Sequence, residues 1–190
     1  MPNKFKTAIA GLLLTAAALA LSACSPYASA PDQLAAGGAF GTSETSESFP
    51  VFLAEGFEGA KISETFFSDK NLTAVCLWTS DCVYCPEQLA ALDEAARELE
   101  GEGFAVLALL LDGENREAAS LAAVRSTRLT LAALSVEFDA SALMQTSRVP
   151  YTLFVNGEGR IVGEPMIGAH EADECLERAL SLLGEPVSGQ

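Results

Sequence analysis

The sequence predicts an α/β domain with a central mixed sheet, flanking helices and an added N-terminal β-hairpin. Two kinds of segment indicate this class. Residues 72–78 and 104–111 are apolar runs with the length of buried strands. Residues 83–100 and 171–183 carry apolar residues at spacings of three and four, which is typical of amphipathic helices. Because helices alternate with strands, we expect parallel strands at the centre of the sheet.

Shorter elements complete the first two thirds of the domain. Residues 51–54 and 61–62 favour the N-terminal hairpin. A helix is expected at 114–125, followed by a short strand at 136–138 that ends in a turn at Asp139. The predicted order up to this point is hairpin, strand, helix, strand, helix, strand.

The last third is predicted to contain a hairpin and a terminal helix. Residues 151–155 and 160–163 are joined by an Asn-Gly-Glu-Gly sequence, which is a strong turn signal. The helix at 171–183 is amphipathic, and it carries Leu176, Ala179, Leu180 and Leu183.

The composition excludes several classes of function. The chain has 190 residues, of which 26 are acidic and 11 are Lys or Arg, so its formal net charge is −15. A nucleic-acid-binding protein needs a basic face that neutralises phosphates, so we expect no nucleic-acid partner. The same charge disfavours electrostatic docking on anionic lipid. His170 is the single histidine, which excludes metal sites built from several histidines.

Residues 1–23 are predicted to be a signal peptide. Their apolar stretch, residues 8–21, follows two lysines and is too short to span a bilayer. The sequence Leu-Ser-Ala at residues 21–23 then precedes Cys24, which resembles the lipobox of bacterial lipoproteins, in which this cysteine is lipidated. The alternative is ordinary cleavage after residues 28–30. Lipidation of Cys24 would anchor the protein in the cell membrane, on the extracytoplasmic face.

The rest of the chain divides into a tether and one domain. Residues 24–48 are rich in Ser, Ala, Gly, Thr and Pro and show no apolar periodicity, which predicts a flexible tether. The folded domain is predicted to span residues 49–190, without an internal repeat or a second linker.

The chemistry is predicted to lie at the C-V-Y-C sequence, where Cys82 and Cys85 flank the start of a helix. A spacing of three residues on a first helical turn brings two sulfurs within disulfide reach. The helix N-terminus stabilises a thiolate on Cys82, whereas Cys85 is expected to be more buried and to act as the resolving thiol. Structural zinc normally needs four ligands, and haem attachment needs a histidine where Pro86 stands. We therefore predict no metal and no cofactor besides the cysteine pair.

Two segments carry a resemblance to a known family. Residues 77–85, L-W-T-S-D-C-V-Y-C, and residues 147–155, S-R-V-P-Y-T-L-F-V, are similar to the active-site and cis-proline segments of thioredoxin-fold oxidoreductases. The added hairpin resembles the TlpA/ResA branch, which comprises membrane-tethered thiol–disulfide oxidoreductases of the bacterial envelope. The resemblance implies a cis peptide between Val149 and Pro150, beside the cysteine pair, with the Val149 backbone pairing with substrate. Trp78 would support the active-site loop.

The resemblance also implies partners. An integral-membrane thiol carrier of the CcdA/DsbD type would donate electrons, and the clients would be envelope proteins with disulfides. The alternative function is that of a copper-binding chaperone of the Sco type, which shares the fold and a cysteine pair followed by Pro-Glu. Those relatives space the cysteines by three residues and place a histidine near the position of Val149 and Pro150, which this chain does not.

Several residues depart from the family pattern, among them Pro86 and the Val-Tyr pair between the cysteines. Asp81 replaces an aromatic residue; its carboxylate could cap the helix, and it disfavours a neighbouring thiolate on Cys82. Gln88 stands where many relatives carry an acid. Cys76 stands where similar thioredoxins keep a buried acid, on the strand face shared with Trp78. Cys76 is interpreted as an apolar filler, or alternatively as a weak proton relay or a bridge partner for Cys85.

Overall fold

The computed structural model describes residues 47–116, 119 and 128–184. These residues belong to one compact unit. The predicted signal peptide, Cys24 and the tether as far as residue 46 lie outside the described residues. Within the described part of the chain, no helix is long and apolar enough to cross a membrane.

Seven strands form a single mixed sheet in the order β2-β1-β5-β4-β3-β6-β7. The strands are β1 (Leu53–Gly56), β2 (Lys61–Ser63), β3 (Leu72–Trp78), β4 (Phe104–Leu110), β5 (Thr130–Leu134), β6 (Tyr151–Asn156) and β7 (Met166–Ile167). The helices with described bounds are α1 (Cys85–Glu98) and α2 (Ala172–Leu183), with short 3-10 turns at Glu64–Phe67, Gly113–Asn115 and Ala140–Ala142. Strands β3, β4 and β5 run parallel, whereas β1 and β6 are antiparallel to their neighbours. The predicted mixed sheet with an N-terminal hairpin is confirmed.

Strand β3 occupies the middle of the sheet, and all seven of its residues are buried. Its continuous apolar sequence follows from this position, because a central strand covered on both faces exposes neither face to water. Cys76 and Trp78 point to the face that the helices cover, whereas Val75 and Leu77 point to the opposite face. The prediction that Cys76 shares a face with Trp78 is confirmed.

The helices α1 and α2 pack against each other on that face of the sheet. The predicted apolar side of this helix is buried: it comprises Leu89, Leu92 and Ala96 within α1 and Leu99 directly after its last residue. In α2 the fully buried residues are Cys175 and Ala179, whereas Leu180 is 50% exposed and contributes little to the core. The opposite face of the sheet is covered by an aromatic cluster of Phe49, Phe52 and Phe67, in which the rings of Phe49 meet both others edge to face.

The predicted strand at residues 136–138 is wrong. Ser135 begins a turn in which its carbonyl accepts a hydrogen bond from the Phe138 N–H at 3.0 Å, and Val136 is 88% exposed. The strand instead lies a few residues earlier, as β5 between β1 and β4. Its sequence T-L-A-A-L has weak strand preference because of the two alanines, and pairing on both sides overrides that preference.

Two further predictions agree with the structure only in part or can be compared with it only in part. Of the helix predicted at 114–125, most residues lie outside the described part, and its start is a 3-10 turn at Gly113–Asn115. The second arm of the C-terminal hairpin does not form a strand: Ile161 makes a single bridge to Val155 in the first arm, and Arg160 makes one to Ser48. The sheet then continues with β7, which the sequence did not indicate.

Candidate active site

The cysteine pair lies in the connection between β3 and α1, at the carboxyl end of the central strand. Cys82 and Cys85 form a disulfide, with their Cα atoms 5.4 Å apart. Cys85 is fully buried as the first residue of α1, whereas Cys82 is partly exposed in the preceding turn. The prediction that Cys85 is the more buried cysteine is confirmed. Of the two cysteines, Cys82 is therefore the one exposed to an incoming thiolate or disulfide from solvent.

The local sequence explains why the helix begins at this pair. Pro86 occupies the first turn of α1, where its fixed φ suits a helix and its missing N–H costs no hydrogen bond. The backbone N–H of Cys85 donates to the Cys82 carbonyl at 3.4 Å, and that of Gln88 donates to the Tyr84 carbonyl at 3.2 Å. The positive end of the helix dipole lies next to Cys82 as a result.

Asp81 does not cap this helix, so that part of the prediction is wrong. Tyr84 is the N-cap residue, and no side chain accepts a hydrogen bond there. The Asp81 carboxylate instead accepts a hydrogen bond from the Thr79 hydroxyl at 2.8 Å, within the same turn. It remains a negative charge adjacent in sequence to Cys82.

Asp112, which sequence reasoning missed, holds the turn from the neighbouring strand. It follows the carboxyl end of β4, and its carboxylate accepts hydrogen bonds from the Ser80 N–H at 2.9 Å and the Ser80 hydroxyl at 2.5 Å. The Asn115 amide donates to it as well, at 3.0 Å. Burial raises the pKa of Asp112, but the hydrogen bonds from Ser80 and Asn115 outweigh it, so the net pKa lies below the ordinary value.

A cis peptide joins Val149 to Pro150, as the resemblance implied. Strand β6 begins at the next residue, Tyr151, which pairs with Leu77 near the end of β3. If this antiparallel register is continued by one residue, Pro150 lies opposite Trp78. Trp78 is the last residue of β3, so Pro150 lies at the end of the sheet where the cysteine turn begins. Val149 and Cys82 both pack against the helix-side core. The structure therefore brings the two predicted segments together at one end of the sheet.

Trp78 and Cys76 lie in β3, the strand that leads to the cysteine turn, and are both fully buried. Burial raises the pKa of Cys76 to about 12, an effect that the Thr152 side chain partly offsets and Cys175 slightly increases. Thr152 is the cross-strand neighbour of Cys76 in the β3–β6 pair. The Cys76 thiol is therefore protonated at neutral pH and is a poor proton acceptor. This supports the interpretation of Cys76 as an apolar filler over that of a proton relay.

Gln88 connects α1 to the loop before α2. Its side chain is fully buried, its carbonyl oxygen accepts a hydrogen bond from the His170 N–H at 2.7 Å, and its amide donates to the Cys175 sulfur at 3.4 Å. Burial raises the pKa of the Cys175 thiol. A sequence signal was available, because Gln88 lies three residues after Cys85 and four before Leu92, on the apolar side of the helix.

A groove opens beside Tyr84, the residue that precedes Cys85. Its volume is about 390 Å³, and its lining comprises Tyr84 and Glu87 on one side and residues 168–171 on the other. Tyr84, between the two cysteines, is 65% exposed. His170 contributes to the far side, and its Nδ1 lies 3.2 Å from the Glu174 carboxylate. The groove therefore separates Tyr84, which lies between the two cysteines, from the loop before α2.

The described residues bring no further ligands to the cysteine pair. Within them, no three side chains of the types His, Cys, Asp or Glu gather so that they could hold a metal ion. The copper-chaperone alternative is therefore without a supporting observation in this part of the chain.

Comparison with solved structures identifies the fold. The thioredoxin domain of a thiol-disulfide oxidoreductase from Bacteroides vulgatus matches with a TM-score of 0.60 and 17% identity, over 73% of this chain and 97% of that one. A thio-disulfide isomerase from Thermus thermophilus gives a TM-score of 0.57 and 22% identity, over 75% and 98%. StoA from Bacillus subtilis gives a TM-score of 0.54 and 19% identity, over 68% and 96%.

The domain has the thioredoxin fold. The predicted resemblance to thioredoxin-fold oxidoreductases is thereby confirmed at the level of the fold. By name, the Bacteroides vulgatus neighbour is a thiol-disulfide oxidoreductase and the Thermus thermophilus neighbour is a thio-disulfide isomerase. No protein family model matches the sequence, and no curated protein is significantly similar to it.

Proposed function

We propose that this protein is a thiol–disulfide oxidoreductase that reduces protein disulfides through Cys82 and Cys85. The observation that carries the proposal is a disulfide between a partly exposed and a buried cysteine, at the N-terminus of α1 and at the same end of the sheet as the cis Val149–Pro150 peptide. The names of the structural neighbours support the same chemistry.

The cycle consists of two exchange steps. In the reduced protein, the Cys82 thiolate attacks a client disulfide, which forms a mixed disulfide and releases one client sulfur as a thiolate that takes up a proton. The Cys85 thiol then loses its proton and attacks the Cys82 sulfur, which releases the second client thiol. The client gains two electrons and two protons, and the protein is left with the Cys82–Cys85 disulfide. The cysteine pair is itself the redox centre, and the cycle uses no added cofactor.

Charge next to the nucleophile favours the reducing direction. A couple becomes a stronger oxidant when its reduced thiolate form is stabilised. The Asp81 carboxylate, adjacent to Cys82, acts in the opposite sense because like charges disfavour each other. The helix dipole of α1 still stabilises the Cys82 thiolate, which keeps Cys82 nucleophilic. The Asp81 charge and the helix dipole together are therefore compatible with a reductant.

Clients and electron donor follow from the proposed cell location. The lipobox-like sequence before Cys24 supports a lipid anchor on the extracytoplasmic face of the cell membrane, reached through the signal peptide at residues 1–23. In that location the clients would be envelope proteins with disulfides, and the Val149 backbone would pair with their main chain. A membrane thiol carrier of the CcdA/DsbD type would return two electrons to the Cys82–Cys85 disulfide.

The test is turnover by the full-length chain with a peptide disulfide as client and a dithiol as reductant. Cys82→Ser is expected to abolish turnover, and Cys85→Ser to accumulate a mixed disulfide on Cys82 because resolution is lost. Cys24→Ser is the matched control, since it removes a cysteine that the proposed cycle does not use and should leave turnover unchanged. Full turnover by Cys82→Ser would contradict the proposal.

A further inference from the structure

The far side of the groove is a short backbone segment, residues 168–170, between β7 and α2. Two hydrogen bonds tie this segment to the active-site elements. The Gly168 N–H donates to the Pro150 carbonyl at 2.9 Å, and the His170 N–H donates to the Gln88 side chain at 2.7 Å. One end of the segment is thus fixed to the proline segment and the other end to the helix that carries Cys85.

Gln88 contacts this segment through a hydrogen bond, not through apolar packing alone. A buried carboxamide is costly unless its oxygen and its nitrogen both find partners. Gln88 meets this requirement with the His170 N–H and the Cys175 sulfur, although no other residue of α1 sends a described side-chain hydrogen bond to that segment. An apolar residue at this position would fill the same space and leave the His170 N–H without an acceptor.

We propose that Gln88 is a positioning residue that sets the distance between the cysteine turn and the 168–170 side of the groove. Its effect reaches the client through the backbone of residues 168–170, and Gln88 itself touches no reacting atom. The inference rests on the proposed function, because the groove matters only if a client peptide lies in it. Gln88 should therefore control the binding of extended peptide clients and leave exchange with small disulfides unaffected.

The experiment compares two substrates on the full-length chain. One is a peptide with a single disulfide, long enough to occupy the groove, and the other is a small aromatic disulfide that reacts at Cys82 alone. Gln88→Met keeps the side-chain volume and removes both hydrogen bonds. It should raise KM for the peptide about fivefold, the equivalent of one net hydrogen bond, with kcat and the small-disulfide rate within about twofold of wild type. Thr73→Val, a buried polar residue near the other end of β3, is the control and should change neither substrate.

A pair of variants at His170 tests the same bond from the other side, without altering the core. His170→Pro lacks the backbone N–H that Gln88 accepts, whereas His170→Ala keeps it and removes the same imidazole. The proline variant should show a peptide KM about fivefold above that of the alanine variant. This comparison decides the question if Gln88→Met does not fold.

The outcomes separate the inference from the proposed function. An unchanged peptide KM in Gln88→Met, or equal values in the two His170 variants, overturns the inference. An equal loss on peptide and small disulfide also overturns it, because Gln88 would then act through the cysteine pair. If the wild-type chain reduces neither substrate, the proposed function itself fails.

Discussion

Replacing Asp112 with alanine should destabilise the domain and loosen the cysteine turn. The Asp112 carboxylate accepts three hydrogen bonds, two from Ser80 and one from Asn115. A hydrogen bond to a charged group contributes about 1.5–3 kcal/mol when it is buried, and the partial exposure of this site reduces each contribution. We therefore expect Asp112→Ala to lower the free energy of unfolding by about 2 kcal/mol at neutral pH.

The same residue predicts a pH dependence whose sign can be worked out. The folded-state pKa of Asp112 lies below its ordinary value of 3.8, so the folded state binds this proton less readily than the unfolded state. The stabilisation is then fully present above that value and disappears as the pH falls through the folded-state pKa. Wild type and Asp112→Ala should become equally stable in strong acid, apart from lost packing.

Urea unfolding at several pH values measures both effects. Asp69→Ala is the matched control, since it removes an exposed carboxylate that contacts only Lys70 in its described hydrogen bonds. The reasoning is refuted if Asp112→Ala is no less stable than Asp69→Ala at neutral pH. It is equally refuted if the loss persists undiminished in strong acid.

Three further predictions concern Asp81, Cys76 and Cys24. Asp81→Asn should make the Cys82 thiolate form more readily, so the alkylation rate of Cys82 at neutral pH should rise; an unchanged or lower rate would contradict the charge argument. Cys76→Ala should leave the pH profile of resolution by Cys85 unchanged across the neutral range, because burial keeps the Cys76 thiol protonated there; a shifted profile would restore the relay interpretation. Labelled fatty acid should enter the wild-type protein and not Cys24→Ala, and a wild type without label would refute the lipobox prediction.

The sequence alone predicts the bounds of an element when its apolar pattern is continuous. Strand β3 has the predicted bounds because every residue of 72–78 is buried, so its apolar run has the length of the strand. Strand β5 was misplaced because its two alanines favour a strand only when neighbours pair on both sides. The cis peptide at Val149–Pro150 was predicted by the resemblance alone, since no local pattern distinguishes it from a trans proline.

The supporting contacts of the site were harder to predict. Asp112 reaches Ser80 across 32 residues of sequence, and Gln88 reaches His170 across 82. Such contacts depend on strand order, which the sequence indicated only coarsely. Gln88 was noted as a departure from the family pattern, yet its partners became visible only once α1 and the loop before α2 were placed together.

The reduction potential of the Cys82–Cys85 couple tests the central claim most directly. It can be measured by equilibrating the full-length chain with buffers of a reduced and oxidised dithiol and trapping the free thiols. A protein that reduces client disulfides should have a potential closer to that of thioredoxin, about −270 mV, than to that of a strong oxidant such as DsbA, about −120 mV. A potential near the oxidant value would contradict the proposed direction of electron flow.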